Sequence, residues 1–373
     1  MIALRKLAPA WAEAPIRLVA ARGLFRGAVA RALLLDRNVD FWLGELDRTW
    51  SISELRARVV EVIDETHDVK TFVLAPGSGW TTPRAGQFVT IDVEIDGVRL
   101  RRCYSLSSAP GDGRVAITVK RVAGGLVSRH LHDHVGPGSV LGLGQPAGDL
   151  VLPAIVPPKL AFVSGGSGVT PLMSVVRDLA HRGALGDVVF VHAARSRADV
   201  IFGAELEALA ARHPGFRLVL RLDDAGAERL DDATLRAVVP DFAERETYLC
   251  GPGPMMDAIE RLWARTPVAR TLHTERFAPA RPASTTAPGG VVALRLARSG
   301  KTVVAAPGTI LEQLERAGER PPSGCRMGIC GTCRCTVRAG TVEDVVTGVV
   351  SSEPDREIKL CVSVARSDVE LAR

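Results

Sequence analysis

Residues 321–337 read PPSGCRMGICGTCRCTV, and residues 359–364 read KLCVSV. The first stretch sets cysteines at 325, 330 and 333 in a C-x4-C-x2-C run, and the second adds a distant fourth at 361. Two irons sharing two sulfides need four thiolates, and this three-plus-one spacing is one used to hold a [2Fe–2S] cluster. Cys325, Cys330, Cys333 and Cys361 are therefore the expected metal ligands, three from one tight loop and one from the far side of the fold. Glycines at 324, 328 and 331 suit such a loop, because the backbone can come close and aim N–H groups at sulfur. A lone C-x2-C would fit a zinc site or a redox dithiol equally well. Zinc usually takes two short pairs of ligands, which this arrangement does not offer. Cys335, in an expected strand Cys335–Val337, reads as a packed thiol.

Outward from that loop, 373 residues with 46% hydrophobic content and 36 glycines call for two or three α/β or β-rich domains. The cysteines outside the cluster set are far apart in sequence, so no disulfide framework is expected and a reducing cytoplasm is the natural location. The net charge of +5 comes without basic runs interleaved with aromatics, which argues against nucleic acid as a partner.

The chain divides by rhythm. Residues 1–50 form a basic, helical extension in which IRLVAARGLFRGAVARALLL (16–35) mixes arginines and apolar residues at roughly helical spacing. It has no apolar run long enough to span a bilayer and no continuous secretory h-region. Two readings stand: peripheral contact with a membrane or membrane-bound partner through residues 1–43, at the inner face, or a helix packed on its own protein. Residues 51–155 change to short alternating strands (ARVVEVIDE, KTFVLAP, QFVTIDVEIDG, RVAITVKR), the pattern of a closed antiparallel barrel. Residues 156–279 alternate strands such as KLAFVSGG and DVVFVHAAR with helices such as PLMSVVRDLAHRG, the pattern of a doubly wound parallel sheet. Residues 280–290 fall in a Pro-, Ala-, Ser- and Thr-rich linker, and 291–373 read as a hairpin, a helix and the cysteine loop.

Four further motifs carry chemistry. Arg102-Cys103-Tyr104-Ser105 closes a barrel strand: the arginine can pair with a pyrophosphate, the tyrosine can stack on a flat ring, and the serine can bond a ring nitrogen. Downstream, Gly124, Gly125 and Ser128 open a helix, a ready phosphate site. His130, His132 and His134 follow on that helix and read as a solvated face. Gly165-Gly166-Ser167-Gly168-Val169-Thr170-Pro171 joins strand to helix and offers N–H groups to a dinucleotide, and Cys250-Gly251-Pro252-Gly253-Pro254 ends a strand at the same sheet edge.

Together and in this order the motifs resemble the ferredoxin–NADP reductase superfamily, in the hybrid form with a C-terminal plant-type [2Fe–2S] ferredoxin. The resemblance covers about residues 50–373 and implies a flavin-binding β-barrel, a nucleotide-binding domain and a β-grasp ferredoxin domain. It implies FAD as the flavin, NADH or NADPH as donor, and the cluster. It implies that Arg102 binds the flavin pyrophosphate, Tyr104 stacks on the isoalloxazine and Ser105 bonds near its N5, with Gly125, Val127 and Ser128 also on the pyrophosphate. Gly166, Gly168 and Thr170 would hold the nicotinamide nucleotide, Cys250 would lie near the reacting carbon, and Glu275 and Phe277, in HTERF, would lie against the ring.

Hydride brings two electrons and the cluster takes one at a time, so a flavin must stand between them. The N-terminal arm and FWLGELDRTWS (41–51) look similar to reductase partners of membrane acyl desaturases. Reductases of Rieske oxygenases, di-iron hydroxylases and cytochromes P450 are the alternatives, and a redox-sensing regulator is a reading from another class. For the nucleotide, Asp223-Asp224 would repel a 2′-phosphate, whereas Arg195, Ser196 and Arg197 could bind one from the other side; the expectation is NADH.

Overall fold

The computed structural model describes residues 36–111, 113–226, 230–267, 270–277 and 292–373. The arm up to residue 35, where most of the expected amphipathic helix falls, and the 280–290 linker lie outside the described residues. Of the extension, α1 (Asp36–Leu46) is described; it leaves Phe41, Trp42 and Leu46 exposed.

The barrel begins with β1 (Arg56–Thr66) and β2 (Val69–Pro76), a hairpin whose inward residues Val59, Phe72 and Leu74 are fully buried. It continues through β3 (Phe88–Ile95), β4 (Val98–Ser105), β5 (Val115–Lys120), α2 (Leu126–His134) and β6 (Val140–Leu143). The sheet runs β4-β3-β6-β1-β2-β5, antiparallel throughout, and a Leu106–Ile117 bridge draws the two edge strands together. This is the barrel expected from the alternation. The histidine face differs from its sequence reading at one place: a ring nitrogen of half-buried His132 lies 2.8 Å from the Val119 carbonyl, so that side chain packs on the barrel.

The next domain is a parallel sheet of β7 (Lys159–Gly165), β8 (Asp187–Ala194), β9 (Phe216–Leu222), β10 (Glu246–Cys250) and β11 (Leu272–Glu275), ordered β11-β10-β7-β8-β9. β7 is buried along nearly its whole length, as a central strand covered on both faces must be. Its covers are α3 (Val169–His181), α4 (Gly203–Arg212), α5 (Asp232–Val238) and α6 (Gly253–Ala264), packed in two clusters on opposite faces. The strand order reverses between β7 and β10, so a crevice opens at their carboxyl ends. α3 is bolted to the barrel: Arg177 Nη1 donates to the Ser107 carbonyl (2.6 Å) and Ser174 Oγ to the Ser108 carbonyl (2.7 Å).

The C-terminal domain opens with the hairpin β12 (Ala293–Leu296) and β13 (Thr302–Val304), then α7 (Ile310–Arg316). Thr309 and Glu312 cap α7 reciprocally, which fixes where the helix starts. β14 (Arg334–Ala339), β17 (Arg356–Lys359) and β19 (Val369–Leu371) complete a mixed sheet ordered β13-β12-β19-β14-β17, and β15 (Val342–Asp344), β16 (Val350–Ser351) and β18 (Ser363–Ala365) form a small second sheet. Cys333, Cys335 and Cys361 belong to its core.

Candidate functional site

The cysteine loop folds as a sulfur cage. Cys361 follows β17 and brings its Sγ within 3.2 Å of Cys333 Sγ. Sharing of one proton between these two thiols pulls Cys333 down to about 6 and pushes Cys361 up. Backbone N–H groups point at the other sulfurs: Met327 and Cys330 donate to Cys325 Sγ (3.4 and 3.3 Å), and Cys325 donates to Cys330 Sγ (3.3 Å). Gly328, at φ 74°, donates to Cys361 Sγ at 3.2 Å, and a Cβ there would lie 2.9 Å from Val362. Only glycine meets both demands. Four sulfurs, three of them with amide donors aimed at them, fit a [2Fe–2S] cluster held by thiolates.

The barrel end forms one wall of a cavity of about 460 Å³, within the usual range for a bound cofactor. Arg102, Tyr104 and Ser105 reach it from β4, and Gly125, Val127 and Ser128 from the start of α2. Among the described residues no side chain caps α2, so its first N–H groups remain for an anion. Tyr104 is half-buried, and burial pushes its phenol well above the ordinary range. Thr170 lines the cavity from α3, and Glu275 and Phe277 close it from the end of β11. An aromatic face, a guanidinium and open helix amides in one cavity suit a flavin carrying phosphate.

A second cleft of about 1150 Å³ runs along the carboxyl edge of the parallel sheet, lined by Gly251, Gly253 and Pro254. Glu275 and Phe277 line both spaces, so the two adjoin across these side chains. At the turn into α3, a Cβ on Gly168 would meet the Cys250 carbonyl oxygen at 2.2 Å. The glycine is what lets two strand ends converge. Gly166 sits beside it at φ 51°, and Thr170 Oγ1 donates to the Ser167 carbonyl at 3.0 Å. Cys250 is fully buried beneath this turn, and burial pushes its thiol far up. In register beside it, Glu275 accepts from Ser105 Oγ at 3.0 Å; burial pushes its carboxyl up to about 7, against the pull of that bond.

The structure thus brings most of the expected flavin and nucleotide residues around one cavity that adjoins the second, with Cys250, Gly166 and Gly168 forming the turn beside it. Sequence reasoning missed its third wall. Met327 and Ile329 of the cysteine loop, with Cys325 and Cys361, line the same cavity as Tyr104. No local pattern announces this, because it depends on how the C-terminal domain docks. Arg276 was also missed; it pairs with Asp257 and Glu260 of α6 and so anchors the segment that carries Glu275 and Phe277.

Comparison with known proteins agrees with this arrangement. Residues 56–151 match an oxidoreductase FAD-binding domain, 162–261 an oxidoreductase NAD-binding domain, and 294–366 a 2Fe-2S iron-sulfur cluster binding domain. An NADPH oxidoreductase of Mycobacterium tuberculosis is 41% identical over 89% of this chain and 88% of its own. A glycine betaine monooxygenase reductase subunit of Pseudomonas aeruginosa is 36% identical over 86% of this chain and 96% of its own. In fold, the chain is similar to phthalate dioxygenase reductase (TM-score 0.58, 24% identity, 85% of this chain and 97% of that one).

Proposed function

The chain belongs to the family of oxidoreductases that join FAD-binding, NAD-binding and 2Fe-2S domains in one polypeptide, and we propose that it is the reductase component of an iron-dependent oxygenase. The observation that carries this reading is the shared cavity, in which Tyr104 and Glu275 face the cluster ligands Cys325 and Cys361. Bound FAD would supply the conversion of a two-electron hydride into single electrons. The rest falls to the protein. Arg102 and the first amides of α2, with Gly125, Val127 and Ser128, hold the pyrophosphate, Tyr104 covers the ring, and Ser105 is aligned by Glu275. Gly166, Gly168 and Thr170 seat the nicotinamide nucleotide above Cys250, and Phe277 closes the space between the two cavities. The domain limits we assign are 51–155, 156–279 and 291–373, behind an extension of 1–50. Reconstitution with purified oxygenases tests the reading: NADH-dependent hydroxylation with one class supports it. Absence of NADH-driven cytochrome c reduction would favour a redox sensor instead.

The finer choice of nucleotide rests on the loops at the ends of β8 and β9. Arg195 is already paired with Asp199 (2.7 Å), Arg197 with Glu207, and Asp223 and Asp224 stand exposed beside them. Arginines committed to carboxylates offer little to a 2′-phosphate, which supports NADH. The relative named an NADPH oxidoreductase supports the opposite choice. A kcat/KM ratio that favours NADPH would overturn ours.

A membrane desaturase is the second acceptor reading. Among the described residues no helix is long and apolar enough to cross a membrane. The exposed Phe41, Trp42 and Leu46 of α1 support peripheral contact with such a partner or its membrane. Flotation with anionic vesicles tests this, and a protein that stays at the bottom of the gradient overturns it.

A further inference from the structure

Electron transfer requires that the cluster domain be held against the flavin cavity, and β4 carries the residues that touch it. Among the described residues, the one hydrogen bond between the C-terminal domain and the barrel runs from Arg102 Nη1 to the Gly324 carbonyl, at 3.0 Å. The same Nη1 donates to the Arg101 carbonyl at 2.8 Å, which fixes the guanidinium against its own strand. Gly324 directly precedes Cys325, and a Cβ on it would lie 2.7 Å from Cys330 Sγ. Arg102 therefore grips the residue on which Cys330 packs, and Cys330 is the ligand of the four that is not buried.

Arg101 is braced from below. Its Nε and Nη2 donate to the two oxygens of Asp92 at 2.5 and 2.6 Å, and Asp92, buried, also accepts from Arg99 at 2.8 Å. Arg99 pairs onward with Glu54, which Arg56 also meets at 3.4 Å, so three guanidiniums (Arg56, Arg99 and Arg101) stand against two carboxylates and one positive charge is left over at this corner. The Asp92 hydrogen bond, against the cost of burial, holds Arg101 protonated above its ordinary value, and Arg102, whose Nη1 bridges the Arg101 and Gly324 carbonyls, brings this strand against the loop that carries Cys330.

We propose that Arg101 and Arg102 form the dock of the cluster domain: Arg102 positions the cysteine loop against the flavin cavity, and Arg101 sets a positive charge beside Cys330 that makes the cluster easier to reduce. The inference rests on the flavin-and-cluster reading above. One electron, drawn from the reduced flavin, arrives at the four-thiolate site without making or breaking a bond. It adds one negative charge there, and a nearby cation favours that change.

Redox titration of the holoprotein, followed by the electron paramagnetic resonance signal of the cluster, tests the role of Arg101. Arg101→Gln is expected to lower the midpoint potential, with flavin and iron content as in the native protein, and Arg101→Lys to restore it. An unmoved potential in Arg101→Gln overturns the charge role. Arg102→Lys keeps the charge but loses the planar fork. Hydrogen–deuterium exchange of residues 322–331 should then speed up, and the flavin-to-cluster rate in stopped flow should fall about tenfold more than the nicotinamide-to-flavin rate. Unchanged exchange, or equal falls in both rates, overturns the dock. A native protein that binds neither flavin nor cluster would overturn the underlying reading and the dock with it, a result distinct from an unmoved potential.

Discussion

Ser105 Oγ donates to Glu275 Oε2 at 3.0 Å, joining the last residue of a barrel strand to the last residue of the parallel sheet. The two lie 170 positions apart, and their bond sets a carboxyl at the junction of the two cavities.

That carboxyl has a measurable consequence. Burial raises Glu275 to about 7, so the folded chain keeps its proton after the unfolded chain has lost it. Stability is therefore full below the unfolded value and falls as pH rises toward 7, by ~3 kcal/mol at most. Glu275→Gln should gain on the native protein across that window and hold a constant lead above it. Urea unfolding at pH 5, 6, 7 and 8 checks this, and a pH-independent difference refutes it.

His192 acts in the opposite sense. It is fully buried, its Nδ1 is 2.8 Å from Ser164 Oγ, its Nε2 has no partner among the described residues, and burial pushes it down to about 4. The unfolded chain takes up the proton first, so stability is lost as pH falls from the ordinary histidine value toward 4. This window overlaps that of Glu275 with the reverse sign, and the native protein should look flat between pH 5 and 6. His192→Gln should expose the Glu275 slope there in the same urea experiment. An unchanged profile removes His192 from the balance.

Cys361→Ser and Cys330→Ser should remove the cluster absorbance while most NADH–ferricyanide activity remains, because that dye accepts electrons from flavin. The visible spectrum and a steady-state assay decide it. Loss of flavin reduction in both variants would mean that electrons do not pass in series.

Gly168→Ala should be severe for a single methyl group. The added carbon meets backbone, the Cys250 carbonyl at 2.2 Å, and no rotamer can relieve that. A cost of about 1–3 kcal/mol is the usual scale for such overpacking. NAD+ affinity, measured by calorimetry, should fall by about tenfold or more as the two strand ends are pushed apart. Native affinity would show that the turn is not part of the nucleotide site.

Much of this protein is written locally. The alternation in β1 and β5, the buried run of β7, the Thr309–Glu312 cap and the C-x4-C-x2-C spacing each need only neighbours in sequence to be read. β4 was visible mainly through its terminal motif, because its residues are mostly half-exposed and carry little apolar alternation. What tertiary structure alone decided is which motifs meet. The Ser105–Glu275 bond, the Arg102–Gly324 bond across 222 positions, and the entry of Met327 and Ile329 into the flavin cavity all arise where separate domains pack together. Such contacts depend on the relative placement of whole folded surfaces. Residue spacing along a single strand or helix carries no record of that placement.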